Sequence, residues 1–122
     1  MTSNMAQALD AAQELEITVT GRKSGKNISI PVWFVRRQDR LYLLPVRGSD
    51  TQWYRNVLQT PVMTIKAEGT SVGVRAKPIT NPRQVGDIAN QFRKKYGAGD
   101  VKRYYSKFDV ALEIELPQQA AA

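Results

Sequence analysis

The order of the predicted elements indicates a mainly β fold with helices (α+β), in which about six strands form an antiparallel barrel. Strand patterns follow one another in pairs joined by short turns, which is typical of hairpins. They do not alternate regularly with helices, as a parallel sheet requires. The 122 residues, of which 42% are hydrophobic, contain no internal repeat and suffice for one core. We therefore predict a single domain over 1–122, with a short leading helix over 1–13 and a C-terminal tail over 117–122.

The first predicted elements are a helix and a strand. Met5, Leu9 and Ala12 recur at helical spacing in an Ala- and Gln-rich segment, which favours a short helix over residues 1–13. Residues 14–20 then change to the pattern of a strand.

The next predicted unit is a hairpin. The side chains of residues 28–35 alternate in a way that predicts a strand buried on much of both faces. Because Pro31 has no amide hydrogen to donate, we expect this strand at the edge of the sheet, at a bulge, or beside another group that approaches its backbone. A short turn at 38–39 leads into a partner strand over 40–46.

A short helix and a second hairpin follow. The spacing of Trp53, Tyr54, Val57 and Leu58 predicts an amphipathic helix, and Pro61 ends it. The strands of the second hairpin are predicted over 62–66 and 71–79.

The last third of the chain contains the longest predicted helix and the clearest strand. Asn81 is a favourable N-cap with Pro82 at the first helical position, and Gly97 is a natural stop. Residues 100–107 add a helical turn or two. Residues 108–116 then carry an apolar side chain at every second position, which predicts a strand with one buried face.

The composition excludes several classes of chemistry. The chain has no cysteine and no histidine, so disulfides, cysteine-containing zinc sites and Ser-His-Asp or Cys-His catalysis are excluded. Its carboxylates do not converge, so we predict no metal site. No apolar stretch suits a transmembrane helix and the N-terminus lacks the pattern of a signal peptide, so we expect a cytoplasmic protein.

The excess of basic residues favours an anionic partner. Eighteen Lys and Arg against eleven Asp and Glu give a formal net charge of +7, which suits nucleic acid, an acidic membrane surface or a phosphorylated small molecule. The basic and aromatic run over 102–107 suits nucleic acid or the roof of a pocket. Nucleic acid is the weaker hypothesis because no recognised nucleic-acid motif accompanies the charge.

The densest candidate site is the basic loop, which we define as residues 20–26. Its two glycines allow close backbone approach, and a serine and three cations surround them, which suits a phosphate group. The alternative is an ordinary solvated hairpin tip. The loop lacks the following helix and the residue order of a Walker A motif. Its candidate ligand-binding residues are Arg22, Lys23, Ser24, Gly25 and Lys26.

A second candidate site combines Arg47 and Gly48 with Trp53. Guanidinium and aromatic planes stack, so these residues could flank a planar ring with an anionic tail. At its helical spacing Trp53 is alternatively a core residue. Since no side chain here suits acid-base or nucleophilic work near neutral pH, catalysis would require an organic cofactor, and hydride transfer satisfies that condition.

Together these motifs resemble the deazaflavin-dependent nitroreductase family. The resemblance covers roughly residues 15–80 and rests on Thr20-Gly21-Arg22-Lys23-Ser24-Gly25, Pro31, Trp53-Tyr54-Arg55-Asn56 and Pro61. It implies a six-stranded split β-barrel of the pyridoxamine phosphate oxidase-like group, often dimeric. Such a protein would bind the deazaflavin coenzyme F-420 or a flavin and reduce quinones, nitroaromatics or other electron-poor acceptors.

The resemblance also implies roles for individual residues. The basic loop would hold the coenzyme phosphate or its acidic tail. Backbone groups near Pro31 and Val32 would face the ring, with Arg47 beside it, and Tyr96 would line the acceptor pocket. We therefore predict an oxidoreductase that uses coenzyme F-420, with FMN as the alternative coenzyme and a non-catalytic binding protein as the alternative function. The resemblance also allows a homodimer.

Overall fold

The structure, a computed structural model, describes residues 5–116, so residues 1–4 of the predicted leading helix and the predicted tail over 117–122 lie outside the described residues. The strands are β1 (Leu15–Thr20), β2 (Asn27–Val32), β3 (Val35–Arg37), β4 (Arg40–Leu43), β5 (Val62–Ala67), β6 (Thr70–Ile79) and β7 (Ala111–Glu115). The helices are α1 (Met5–Ala11), α2 (Gln52–Gln59), α3 (Pro82–Tyr96) and α4 (Ala98–Tyr104), and a 3₁₀ turn spans Gly48–Asp50. None of these helices has the length and apolar character needed to span a membrane.

The described strands form one antiparallel sheet in the order β2-β1-β5-β6-β7-β4-β3. Its two outermost strands, β2 and β3, are joined only by Trp33 and Phe34. In a flat sheet, six strand spacings of ~4.8 Å would hold β2 and β3 about 29 Å apart. The three Cα steps between them cover at most about 11 Å. The sheet therefore curls until its edges meet at residues 33–34, which gives a barrel that is split between β2 and β3.

Two apolar cores stabilise this arrangement. The first fills the barrel with buried side chains such as Ile17, Leu41 and Ile65, and Leu9 of α1 packs into it. The second lies between the outer face of the sheet and the helices α3 and α4, with Phe92 fully buried in it. Because successive residues of a strand face opposite sides, β4 and β7 contribute side chains to both cores.

Several local sequence signals are confirmed. Asn81 caps α3 by accepting hydrogen bonds from the backbone N–H groups of Arg83 and Gln84, at 2.9 and 3.1 Å. Gly97 ends the helix with a φ of 98°. Pro31 lies in β2, an edge strand, which has a neighbouring strand on one side only.

The predicted strand over 28–35 is wrong in its extent and in its partner. The chain breaks at residues 33–34, so seven strands replace the predicted six, and β2 pairs with β1 while only β3 pairs with β4. The Phe34 N–H donates to the hydroxyl of Tyr96 at 3.1 Å, and the Phe34 carbonyl accepts from Lys95 Nζ at 2.9 Å. Side chains of α3 thus replace the strand ladder at this point.

Two predicted burial patterns are also wrong. β2 is exposed or half-buried along its whole length, because an edge strand outside the layer of helices is covered on one face at most. In α2, the buried side is formed by Trp53, Tyr54 and Val57, and Leu58 is 51% exposed.

Candidate functional site

An aromatic cavity lies where the two edges of the sheet meet. Its volume is about 480 Å³, within the range of about 300–1,000 Å³ that is usual for small-molecule pockets. The end of β2, the segment after β4, the start of α2 and the end of α4 surround it. We name it the aromatic cavity, and its lining residues are Glu14, Ile30, Pro31, Val32, Trp33, Leu44, Val46, Trp53, Tyr104 and Tyr105.

Three of the predicted coenzyme-binding residues line this cavity, namely Pro31, Val32 and Trp53. Pro31 and Val32 belong to β2, whose outer side carries backbone groups that no neighbouring strand pairs. Trp53 is 6% exposed and belongs to the barrel core. It therefore packs as a core residue and also forms part of the cavity wall, while its contact with a planar ligand stays a prediction.

A cluster of aromatic rings around Trp33 forms another part of the wall. Trp33 stacks on Tyr96 with ring centroids 4.2 Å apart and planes inclined by 4°. It meets Tyr104 edge-on at 5.6 Å and Tyr105 at 6.0 Å. Stacked and edge-on aromatic pairs contribute ~0.5–1.5 kcal/mol each beyond their burial. These contacts hold Trp33 as a firm surface against which a planar molecule can pack.

Tyr96 stands behind this wall and does not line the aromatic cavity. Its hydroxyl accepts from the N–H of Phe34 at 3.1 Å and lies 2.9 and 2.7 Å from the carbonyl oxygens of Phe34 and Gln13, to one of which it donates. Burial raises the pKa of Tyr96 to about 12, so the phenol is neutral near neutral pH. Tyr96 thereby fixes the backbone at the break between β2 and β3 and, by stacking, the ring of Trp33.

Tyr105 and Glu14 are polar side chains in the lining. Tyr105 is 6% exposed, and burial raises the pKa of its phenol, so it stays protonated near neutral pH. Its hydroxyl has no hydrogen-bond partner within residues 5–116, yet it is not sealed from solvent. The hydroxyl of this lining residue is therefore not occupied by a hydrogen bond within the described residues. Glu14 is exposed, and among the described residues no lysine or arginine joins it in the lining.

The basic loop is a tight turn closed by its own backbone. The Gly21 N–H donates to the Lys26 carbonyl at 2.8 Å, and the Gly25 N–H donates to the Gly21 carbonyl at 2.9 Å. The Lys26 N–H donates to Ser24 Oγ at 3.1 Å. The side chains of Lys23 and Lys26 are exposed and make no hydrogen bond or ion pair within residues 5–116, so their charges are free for a ligand.

Arg22 ties the basic loop to α2. Its guanidinium donates to Asn56 Oδ1 and to Gln52 Oε1, both at 2.7 Å, so in this structure Arg22 positions the loop. No residue of the loop lines any of the four principal cavities formed by residues 5–116. Gln52 directly precedes Trp53, however, so the loop adjoins one wall of the aromatic cavity without lining it.

The segment with Arg47 and Gly48 lies beside the same cavity. Gly48 has a φ of 55°, and a Cβ at this position would overlap the carboxylate of Asp109. That carboxylate accepts from the N–H and the hydroxyl of Ser49 at 2.9 and 2.6 Å, so Gly48 is required for packing. Arg47 follows the lining residue Val46, and its exposed side chain makes no hydrogen bond or ion pair within residues 5–116.

A second cavity, of about 640 Å³, lies between the end of α1 and α3. Three of its charged groups already have partners, since Arg36 is paired with Asp10 at 2.9 Å and Lys95 Nζ lies 3.6 Å from the ring centroid of Phe34, while Lys94 is exposed. It offers few free ring surfaces. The aromatic cavity is therefore the better candidate for binding a planar ligand.

The sequence matches the model of one known protein family. The model of the family DUF2255, described as "Uncharacterized protein conserved in bacteria", matches residues 5–111. The chain belongs to the DUF2255 family. No curated protein matches this DUF2255 chain.

Solved structures similar to the DUF2255 chain share its fold. An F420-H2 dependent reductase (FDR-A) is 18% identical with a TM-score of 0.65, covering 84% of this chain and 94% of that one. HutZ, the heme storage protein of Vibrio cholerae, is 14% identical with a TM-score of 0.69, covering 95% and 89%. A pyridoxamine 5'-phosphate oxidase-like protein of Listeria innocua is 13% identical with a TM-score of 0.65, covering 93% and 91%. The DUF2255 chain is thus a pyridoxamine phosphate oxidase-like split β-barrel, as predicted, and since one fold hosts many functions the likeness extends to the fold alone.

Sequence motifs indicated only part of the cavity of this DUF2255 chain. Tyr104 and Tyr105 come from the basic and aromatic run for which the roof of a pocket was one interpretation, and both line the cavity. Trp33 and Glu14 were not predicted as site residues. Their place depends on the break at residues 33–34 and on the curl of the sheet, for which no local motif exists.

Proposed function

We propose that this protein is a reductase that binds a deazaflavin coenzyme and passes hydride from it to a small electron-poor acceptor. The observation that carries the proposal is the aromatic cavity, an apolar volume with ring walls beside an edge strand that has unpaired backbone groups. Pro31 and Val32, which the resemblance to deazaflavin-dependent nitroreductases places against the ring, line this cavity. The similarity in fold to an F420-H2 dependent reductase supports the same function.

The residues around the cavity fit such a coenzyme. A planar ring can stack on Trp33 or Trp53 and hydrogen-bond to the backbone of β2. An anionic tail that leaves the cavity would meet Arg47 on one side and, past Trp53, the free ammonium groups of Lys23 and Lys26 on the other. When bound, the coenzyme supplies the hydride, which no side chain of the protein can supply.

The protein's own residues would orient the ring and the acceptor and keep water out. Tyr96 holds Trp33 in place through its stacked ring and its hydrogen bonds to Phe34. The protonated phenol of Tyr105 can donate a hydrogen bond to an oxygen of the acceptor, where negative charge increases as hydride arrives.

FMN is the alternative coenzyme, supported by the similarity to a pyridoxamine 5'-phosphate oxidase-like protein. Binding without turnover is the alternative function. Heme storage, the function named for HutZ, is less well supported, because the chain has neither histidine nor cysteine, which leaves only tyrosine and methionine as axial ligands.

Absorption titrations of the purified protein with coenzyme F-420 and with FMN test the proposal. We expect saturable binding of F-420, followed by oxidation of reduced F-420 when a quinone or nitroaromatic is added. Binding without oxidation across such acceptors would support the non-catalytic alternative. If neither coenzyme binds, the proposal is wrong.

A double variant tests the basic loop as the site of the anionic tail. Exposed charge pairs contribute ~0.2–1 kcal/mol each, so Lys23→Ala with Lys26→Ala should weaken coenzyme binding by about 2- to 30-fold. Lys66→Ala with Lys77→Ala removes the same charge from exposed positions on β5 and β6 and should leave affinity unchanged. Equal affinities of the wild-type protein and the loop variant would exclude the loop as the tail site.

A further inference from the structure

The lining of the aromatic cavity has a charge opposite to that of the whole protein. The chain carries a formal net charge of +7. Among the described residues that line the cavity, however, Glu14 is the one group that is charged near neutral pH. The nearby cations Arg47, Lys23 and Lys26 lie outside the lining. A molecule that enters the cavity therefore meets a carboxylate among apolar and aromatic surfaces.

Glu14 lies close to the aromatic cluster and is free to act on a ligand. It directly precedes β1 and lines the cavity together with Trp33. The pKa of Tyr96 is raised mainly by burial, and the negative charge of Glu14 raises it further. Within residues 5–116 its carboxylate has no ion pair. The carboxylate of Glu14 is thus exposed to solvent and is not neutralised by a direct ion pair within the described residues.

We infer that Glu14 makes the aromatic cavity selective for uncharged or cationic aromatic molecules and against anionic ones. The selectivity of the cavity does not depend on the proposed function. A second statement does rest on it: the acceptor that the reductase uses is uncharged or cationic. An anionic coenzyme tail is then held outside the cavity, on the side of Arg47 and the basic loop. An exposed charge changes the affinity of a charged ligand by about 1.4- to 5-fold, so a cationic and an anionic ligand of the same shape should differ by roughly 2- to 30-fold.

Three naphthoquinones with the same ring test this selectivity: one uncharged, one with a sulfonate group and one with a trimethylammonium group. Binding is measured without turnover by quenching of tryptophan fluorescence, because both tryptophans of the chain, Trp33 and Trp53, line the cavity. We expect the wild-type protein to bind the sulfonate most weakly. The difference should shrink in ~1 M salt, where the screening length is about 3 Å.

Variants at position 14 identify the group responsible. Glu14→Gln should remove most of the preference, and Glu14→Lys should reverse it. Glu16→Gln is the matched control, since it removes the same charge from an exposed residue of β1 that does not line the cavity. It should leave the preference unchanged.

The possible results test the selectivity inference independently of the proposed function. If the three rings bind and the preference is the same in the wild-type protein and in Glu14→Gln, the selectivity inference is wrong while the ring-binding cavity stands. If Glu16→Gln removes the preference as well, the net charge of the protein and not Glu14 is responsible, and the inference is again wrong. If none of the quinones binds the wild-type protein, the cavity does not accept uncharged or cationic rings and the inference is wrong, whereas the proposed function is still decided by the coenzyme titrations.

Discussion

Replacing Tyr96 by phenylalanine removes the hydroxyl that holds the break in the sheet and keeps the ring that stacks on Trp33. The hydroxyl oxygen accepts from the N–H of Phe34, and its single proton goes to one carbonyl at a time, that of Phe34 or of Gln13. Two hydrogen bonds are therefore lost. At a net contribution of ~0.5–1.5 kcal/mol each, Tyr96→Phe should lower the free energy of unfolding by about 1–3 kcal/mol.

Urea unfolding followed by circular dichroism measures this change by linear extrapolation. Tyr104→Phe is the matched control, because Tyr104 also packs against Trp33 but is 54% exposed. Its hydroxyl has no hydrogen-bond partner within residues 5–116, so we expect a change below about 0.5 kcal/mol. A loss below ~0.5 kcal/mol for Tyr96→Phe, or equal losses in the two variants, would refute the role of this hydroxyl at the corner of the barrel.

Two further predictions concern the backbone and alkaline pH. Gly48→Ala should lower the melting temperature more than Gly25→Ala, because both glycines have positive φ but only at position 48 would the new Cβ overlap a neighbouring carboxylate; similar melting temperatures would contradict this. The pKa of Tyr96 is raised from 10.0 to about 12, so the unfolded chain loses this proton at lower pH than the folded protein, and the free energy of unfolding should fall as pH rises from 10 towards 12. Urea midpoints across this window should decline less steeply in Tyr96→Phe, and equal slopes would assign the decline to other groups.

The sequence correctly predicted those local features that are caused by residues close to one another along the chain. Asn81 and Gly97 bound α3 through hydrogen bonds and backbone angles within a few residues, and Pro31 indicated an edge strand through its own missing hydrogen. The strand over 28–35 failed for the opposite reason. The groups that end it, on Tyr96 and Lys95, come from a helix about sixty residues later in the chain.

The candidate site shows the same limit. The charges of the basic loop are evident in the sequence, but the engagement of Arg22 by Gln52 and Asn56 depends on how α2 packs. The assignment of Trp53 to either core or cavity also required the fold, because the two alternatives share one helical spacing. The place of Tyr96 in an acceptor pocket stays a prediction; in the structure its ring stacks on Trp33 outside the lining of the aromatic cavity.

The sequence by itself determined which chemistry the protein lacks, its positive charge and the succession of hairpins, because each of these depends on residue types or on neighbours along the chain. Only the tertiary structure decided that a cavity exists and which side chains face it. Its walls come from five separate segments that meet because the two-residue link between β2 and β3 forces the sheet to curl. Glu14 and Trp33 line the same cavity only because the two edges of the sheet meet.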